Sequence, residues 1–147
     1  MATTTTRPSH QLQVRRVYAV SPEQLFKAWT TPEELKRWHA PDPLTVPLVE
    51  VDLRVGGSYR IHMREPGGQE YHVSGIYRVV EPPRKLVYTW KWDHEDAETQ
   101  VTLEFKPQSN GTELVLTHEG FVTEESRARH EHGWTSIFER LAAEGKR

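Results

Sequence analysis

A chain of 147 residues is sized for one globular domain, which buries roughly 70% of its unfolded surface. Its net charge of −2 and pI near 6.4 supply no basic face for nucleic acid. No stretch approaches the ~20 apolar residues of a membrane span, and Met1–His10 lacks the apolar core of a signal peptide. The chain has no cysteine, which excludes disulfides, thiolate metal sites and a thiol nucleophile. These exclusions point to the cytoplasm. Hydrophobic residues make up only 35% of the chain, but five Trp, five Tyr and four Phe each bury a large area.

Residues 1–10 read as a flexible, polar, Thr-rich tail, and residues 11–147 as a single domain. From Gln11, the alternation of Leu12, Val14, Arg16 and Tyr18 with Gln13, Arg15, Val17 and Ala19 predicts a strand. Two helix starts follow with the same grammar. In Ser21-Pro22-Glu23-Gln24 and in Thr31-Pro32-Glu33-Glu34, a hydroxyl caps, proline takes the first turn, and Gln or Glu closes a capping box. Behind them, Leu25, Phe26 and Trp29, then Leu35 and Trp38, give each short helix one apolar side.

After Pro41, Pro43 and Pro47 the chain turns to strands. Leu48 to Leu53 is the first. Tyr59, Ile61 and Met63 alternate up to Pro66-Gly67-Gly68, and Tyr71 to Val80 returns. Leu86, Tyr88 and Trp90 follow Pro82-Pro83. An acidic loop, Asp93 to Glu98, leads to Val101, Leu103 and Phe105. Asn110-Gly111 marks a hairpin to Leu114, Leu116 and His118. Apolar-in, polar-out strands with short turns predict an antiparallel meander with one wet face. The period then changes: Thr123 caps a helix whose Trp134, Ile137, Phe138 and Leu141 follow i, i+3, i+4, i+7 spacing over five or six turns. That stripe requires the inward face of the meander.

The segments Ser21–Trp29 leading to Leu35-Lys36-Arg37-Trp38, Arg54–Arg60, Gly75-Ile76-Tyr77 running to Glu81–Leu86, Tyr88-Thr89-Trp90, Thr117–Phe121 and His132-Gly133-Trp134 together resemble the START-like (SRPBCC, helix-grip) superfamily. The branch they resemble is the family named for the activator of the Hsp90 ATPase. The resemblance runs from about Gln11 to Leu141. It implies an α+β helix-grip fold: a curved antiparallel sheet of about six or seven strands wrapped around a long C-terminal helix, with two short helices after the first strand. It also implies a cavity between sheet and helix, and it opens the possibility of contact with a chaperone or regulator. The superfamily spans ligand binders and some enzymes, so the fold does not choose between them.

The inward aromatic set is the candidate ligand site: Trp29, Trp38, Tyr59, Tyr77, Tyr88, Trp90, Phe105, Trp134 and Phe138, with His118 in the inward register of the last strand. Each ring can equally fill core. An apolar pocket with a few polar handles is the usual ligand environment, and such a cavity predicts a cost of only about 1–2 kcal/mol for Trp134→Ala. No metal or other cofactor is expected from the eight histidines, because His130 and His132 diverge on a helix and no spacing forces His94, His118 and His130 together. Paired carboxylates fall at helix starts and in loops, Gly56-Gly57 and Gly67-Gly68 open no helix, and no nucleophile has a marked base. No catalytic residue is therefore assigned. The expected function is binding of a small, largely apolar molecule. The alternatives are a protein-interaction module, against which the charged outward residues Arg60, Arg78, Lys91, Glu104 and Lys106 speak, and a small cyclase or hydratase using the same cavity.

Overall fold

The structure, a computed structural model, describes residues 10–144. The elements run β1 (His10–Tyr18), α1 (Pro22–Thr30), α2 (Pro32–Trp38), β2 (Thr45–Val51), β3 (Ser58–Arg64), β4 (Glu70–Glu81), β5 (Lys85–Trp92), β6 (Thr99–Gln108), β7 (Gly111–Phe121) and α3 (Glu124–Glu144). The seven strands form one antiparallel sheet in the order β1-β7-β6-β5-β4-β3-β2. The fold is a helix-grip α+β fold, with Trp134, Ile137, Phe138 and Leu141 of α3 buried against the sheet. Among the described residues, no helix is long and apolar enough to cross a membrane.

The expected tail, residues 1–10, lies outside the described residues except for His10, which opens β1 opposite Phe121. The first capping box forms as expected, with Ser21 Oγ accepting from the Gln24 N–H at 3.1 Å. The second does not. Thr31 closes α1 and opens α2 at once, and its backbone carbonyl takes the N–H groups of Glu34 and Leu35 while its side chain makes no capping bond. Thr123 does cap α3, accepting from the Ser126 N–H at 3.0 Å.

The strand expected over Leu48–Leu53 is shifted to Thr45–Val51. It takes in Pro47, which an edge strand tolerates because one row of its backbone groups faces solvent. Past Val51, the chain turns on bonds from Arg54 N–H to the Asp52 carbonyl and from Gly57 N–H to the Arg54 carbonyl, leaving Leu53 exposed.

Between β4 and β5 the backbone ladder opens at Gly75. The Thr89 carbonyl accepts from Tyr59 Oη at 2.6 Å, and Thr89 Oγ1 accepts from the Ile76 N–H at 2.9 Å. Side chains thus satisfy the main-chain groups there, as buried polar atoms require. This is possible only because residue 75 lacks a side chain: a Cβ would sit 1.9 Å from the Thr89 oxygen and 2.7 Å from the Tyr59 ring. Gly75→Ala is expected to cost about 1–3 kcal/mol or more through overpacking. Gly67→Ala, which would meet nothing within 4 Å, should stay within about 0.5 kcal/mol. Urea denaturation of the two variants checks the contrast; equal effects would contradict the close-approach account.

Candidate functional site

The α2–β2 connection is pinned to α3 by three bonds. Arg140 donates through Nη1 to the carbonyls of Ala40 at 2.6 Å and Leu44 at 2.8 Å, and Ser136 Oγ accepts from the Asp42 N–H at 2.9 Å. These bonds hold Pro41 and Leu44 as one wall of a cleft of about 240 Å³. The facing wall is the inward register of three adjacent strands: Met63 of β3, Tyr71 of β4, and Trp90 and Trp92 of β5. Gly133, Trp134 and Ile137 of α3 form its floor, and His94, Glu95, Arg129 and His130 stand around it.

A chain of hydrogen bonds fixes the aromatic side of this cleft. Trp134 Nε1 donates to His118 Nδ1 at 2.9 Å. His118 therefore carries its proton on Nε2, which donates to Thr99 Oγ1 at 2.6 Å, and that hydroxyl donates to the Trp90 carbonyl at 3.2 Å. Similarly, Trp92 Nε1 donates to His130 Nε2 at 3.0 Å, so His130 Nδ1 is the protonated nitrogen and donates to the Ser126 carbonyl at 2.8 Å. A doubly protonated imidazole has no acceptor for a tryptophan N–H. Both rings are thus held neutral by geometry, and burial lowers both pKa values, that of His118 well below the ordinary 6.5. His39, packed among Trp29, Trp38, Trp90 and Trp134, is lowered by burial to about 4. Among the described residues, the Nε1 of Trp90 is buried without a partner.

Of the ten expected site residues, Trp90 and Trp134 line this cleft. Trp29, Tyr59, Tyr77 and Tyr88 instead surround a void of about 10 Å³, at most one water in size. Trp29 Nε1 donates to Tyr88 Oη at 3.1 Å. Phe105 packs on Phe26, and the Phe138 carbonyl accepts from Tyr18 Oη. Trp38 packs tilted against Trp29, with ring centroids 4.6 Å apart, and backs a separate groove beside β1 and the end of α3. His118 has both nitrogens engaged, so it offers a ligand nothing without breaking the chain. Alternation identifies which side chains point inward, but it cannot say which part of the interior the rings fill. Most of the cleft lining was passed over, Tyr71, Trp92 and Gly133 among it. For Trp92 the signal was available, since it continues the parity of Leu86, Tyr88 and Trp90.

The opposite face of the same strands carries another group missed from sequence. His62 faces His72 across the β3–β4 ladder, Arg64 faces Glu70, and the ligand atoms of His62, Glu70 and His72 all lie within 4.8 Å of one another. By contrast, His118 and His130 do approach, their ring centroids 5.3 Å apart, but their nitrogens are committed to the bonds above.

The family described as "Activator of Hsp90 ATPase homolog 1-like protein" matches residues 19–146. The chain belongs to this family. It is thereby placed in the Hsp90-ATPase-activator-like branch of the START-like superfamily. A human relative, "Activator of 90 kDa heat shock protein ATPase homolog 1", is 29% identical over 135 residues. The match covers 89% of this chain but only 35% of the human protein's length. Among solved structures, the AHSA1 protein from Silicibacter pomeroyi is 36% identical with a TM-score of 0.82, covering 92% of this chain and 96% of that one. A Chromobacterium violaceum protein is 26% identical with a TM-score of 0.87, over 93% and 97% respectively.

Within this AHSA1-like chain, Trp134 sits 5.0 Å from Trp90 and 6.3 Å from Trp29, centroid to centroid, so it is core on one side and cleft floor on the other. Trp134→Ala would open packed volume and strip His118 of its donor. The cost is therefore expected at about 3–5 kcal/mol, above the value expected for a residue lining an already open cavity; chemical denaturation decides between them. The histidines generate a pH prediction. Their folded pKa values are depressed, so below the unfolded value of about 6.5 the unfolded chain binds more protons, and stability falls as pH falls. For His39 and His118 the slope is about 1.4 kcal/mol per pH unit each. Urea denaturation at pH 5.5 should give a stability about 2–3 kcal/mol below that at pH 7.5, and a flat profile would contradict the neutral assignment.

Proposed function

We propose that this chain binds a small, largely apolar, ring-containing molecule in the cleft between β5 and the first half of α3. The observation that carries the reading is Gly133. A glycine in a helix interior costs about 0.5–1 kcal/mol relative to alanine, and here it lies in the cleft floor. A Cβ at this position would meet only Pro41 Cγ, at an ordinary 3.5 Å. Nothing in the packing of α3 requires a glycine, and the missing side chain leaves the volume beside Trp134 open. An apolar cavity of roughly 150 Å³ admits benzene, so about 240 Å³ accommodates one substituted ring. Trp90, Trp92 and Trp134 supply faces for stacking.

The small-enzyme alternative has one supporting observation. Tyr71 Oη donates to Glu65 Oε2 at 2.6 Å, which raises the phenol pKa, and His94 packs edge-on to Tyr71 at the same cleft. Its one proton is committed to Glu65, so toward a ligand the phenol oxygen can only accept a hydrogen bond, which serves binding without any reaction.

Nitrobenzene, a single substituted ring, is a suitable probe, because three of the five tryptophans lie in the cleft and report occupancy by quenching. Native protein should take up one equivalent. Gly133→Leu, which places a side chain in the cleft, should weaken uptake about tenfold or more while the melting temperature is retained. Gly133→Ala should raise stability by about 0.5–1 kcal/mol. Absence of uptake by the native chain, or uptake indifferent to Gly133→Leu, would remove the proposal.

A further inference from the structure

We propose that His62, Glu70 and His72 form a binding site for one divalent transition-metal ion, with zinc as the reference case, on the sheet face opposite the cleft. The turn centred on Gly67 sets the register that brings them together, since His62 pairs with His72 and Arg64 with Glu70. Residues on one strand face repeat every second position, so Glu70 and His72 project on the same side, as does His62 across the ladder. Their intervening neighbours Met63 and Tyr71 line the cleft on the other side.

The donor atoms converge. Glu70 Oε1 lies 2.9 Å from His72 Nε2 and 4.0 Å from His62 Nδ1. The two imidazoles stack with centroids 3.5 Å apart and planes inclined by 12°. Metal–ligand bonds of about 2.0–2.2 Å require donors roughly 3–3.5 Å apart, so a modest rotation of two partly exposed rings completes the set. Two imidazoles and a carboxylate with an open fourth position suit zinc, nickel or copper rather than the all-oxygen preference of calcium and magnesium.

The surroundings orient the donors. Arg64 holds the other carboxylate oxygen of Glu70, with Nη2 at 2.7 Å and Nε at 2.9 Å from Oε2, leaving Oε1 toward the histidines. Asp93 Oδ2 stands 3.7 Å from His72 Nδ1, the nitrogen that does not face Glu70. A carboxylate on the far nitrogen of a ligating imidazole fixes its tautomer and increases its basicity. The Arg64 cation opposes the ion's charge, which sets the expected affinity in the micromolar range rather than tighter.

The test is calorimetric titration of zinc chloride into the full chain previously treated with chelator, beside cobalt(II) absorption spectroscopy and nitrogen-15 spectra of the imidazoles. One ion per chain is expected, with visible cobalt bands of a low-coordinate N/O site. His62→Ala, Glu70→Gln and His72→Ala should each weaken binding about tenfold or more, while His132→Ala, on exposed α3 surface, leaves it unchanged. In the wild-type protein, zinc should shift the imidazole signals of His62 and His72 and spare those of His118 and His130, a readout that needs no variant to fold. No binding at about 100 µM zinc, or binding that survives His62→Ala and His72→Ala, or shifts confined to other histidines, would overturn the site.

Discussion

The bond from Trp134 Nε1 to His118 Nδ1 is the constraint on which the grip depends. It joins the middle of α3 to β7 from within the ring packing, and further directional bonds through His130, Ser136, Phe138 and Arg140 tie the helix on either side of it. Hydrophobic burial brings a helix onto a sheet without fixing its rotation or height, whereas a buried donor that must find its acceptor fixes both. The bond continues through Thr99 to the Trp90 carbonyl, so β5, β6, β7 and α3 are registered by one run of groups. Each member has a single satisfiable protonation state. A neutral His118 is therefore a condition of the fold, and below about pH 6.5 it is the unfolded chain that takes up the proton the grip refuses.

Much of the architecture was legible because its signals are local. The capping box at Ser21, the cap at Thr123, the period-2 strands and the α3 stripe each need only a few neighbouring residues. Thr31 shows the limit. Its sequence context matches that of Ser21, but a residue shared by two helices has one backbone and one side chain to divide between them, and the carbonyl takes both donors. The site was legible only in part. Inward parity named ten residues correctly as interior, and the interior proved mostly filled. Which rings remain beside open volume depends on helix placement, which no strand periodicity contains. The His62–His72 pairing was within reach, since it follows from counting outward from the Pro66-Gly67-Gly68 turn, whereas His94, His118 and His130 are linked by no such hairpin count.

Strands β3 and β4 thus carry two chemistries on one backbone. One face presents Met63 and Tyr71 to the cleft, the other His62 and His72 with Glu70. A one-residue slip in the β3–β4 register would exchange them. The register is held from both ends, by the turn bonds between Glu65, Gly68 and Gln69 and by Tyr59 crossing above Gly75 to the Thr89 carbonyl. The two faces are consequently not independent in the folding problem, although no side chain belongs to both.

The position of the open end follows from the composition of α3. Its buried residues are Trp134, Ile137, Phe138 and Leu141, all in the second half, while Glu124 to His132 supply charged and polar side chains tied to one another through Arg127, Glu124 and Glu131. The sheet beneath that first half still presents Trp90 and Trp92, because β5 is inward-apolar along its whole length. A helix that stops supplying apolar side chains over a strand that continues to do so leaves unmatched surface, and the loop wall of Pro41 and Leu44, held by Arg140, encloses it without filling it. Gly133 stands at the boundary between the two halves. There the helix gives up side-chain packing, and with it some stability, beside the open space.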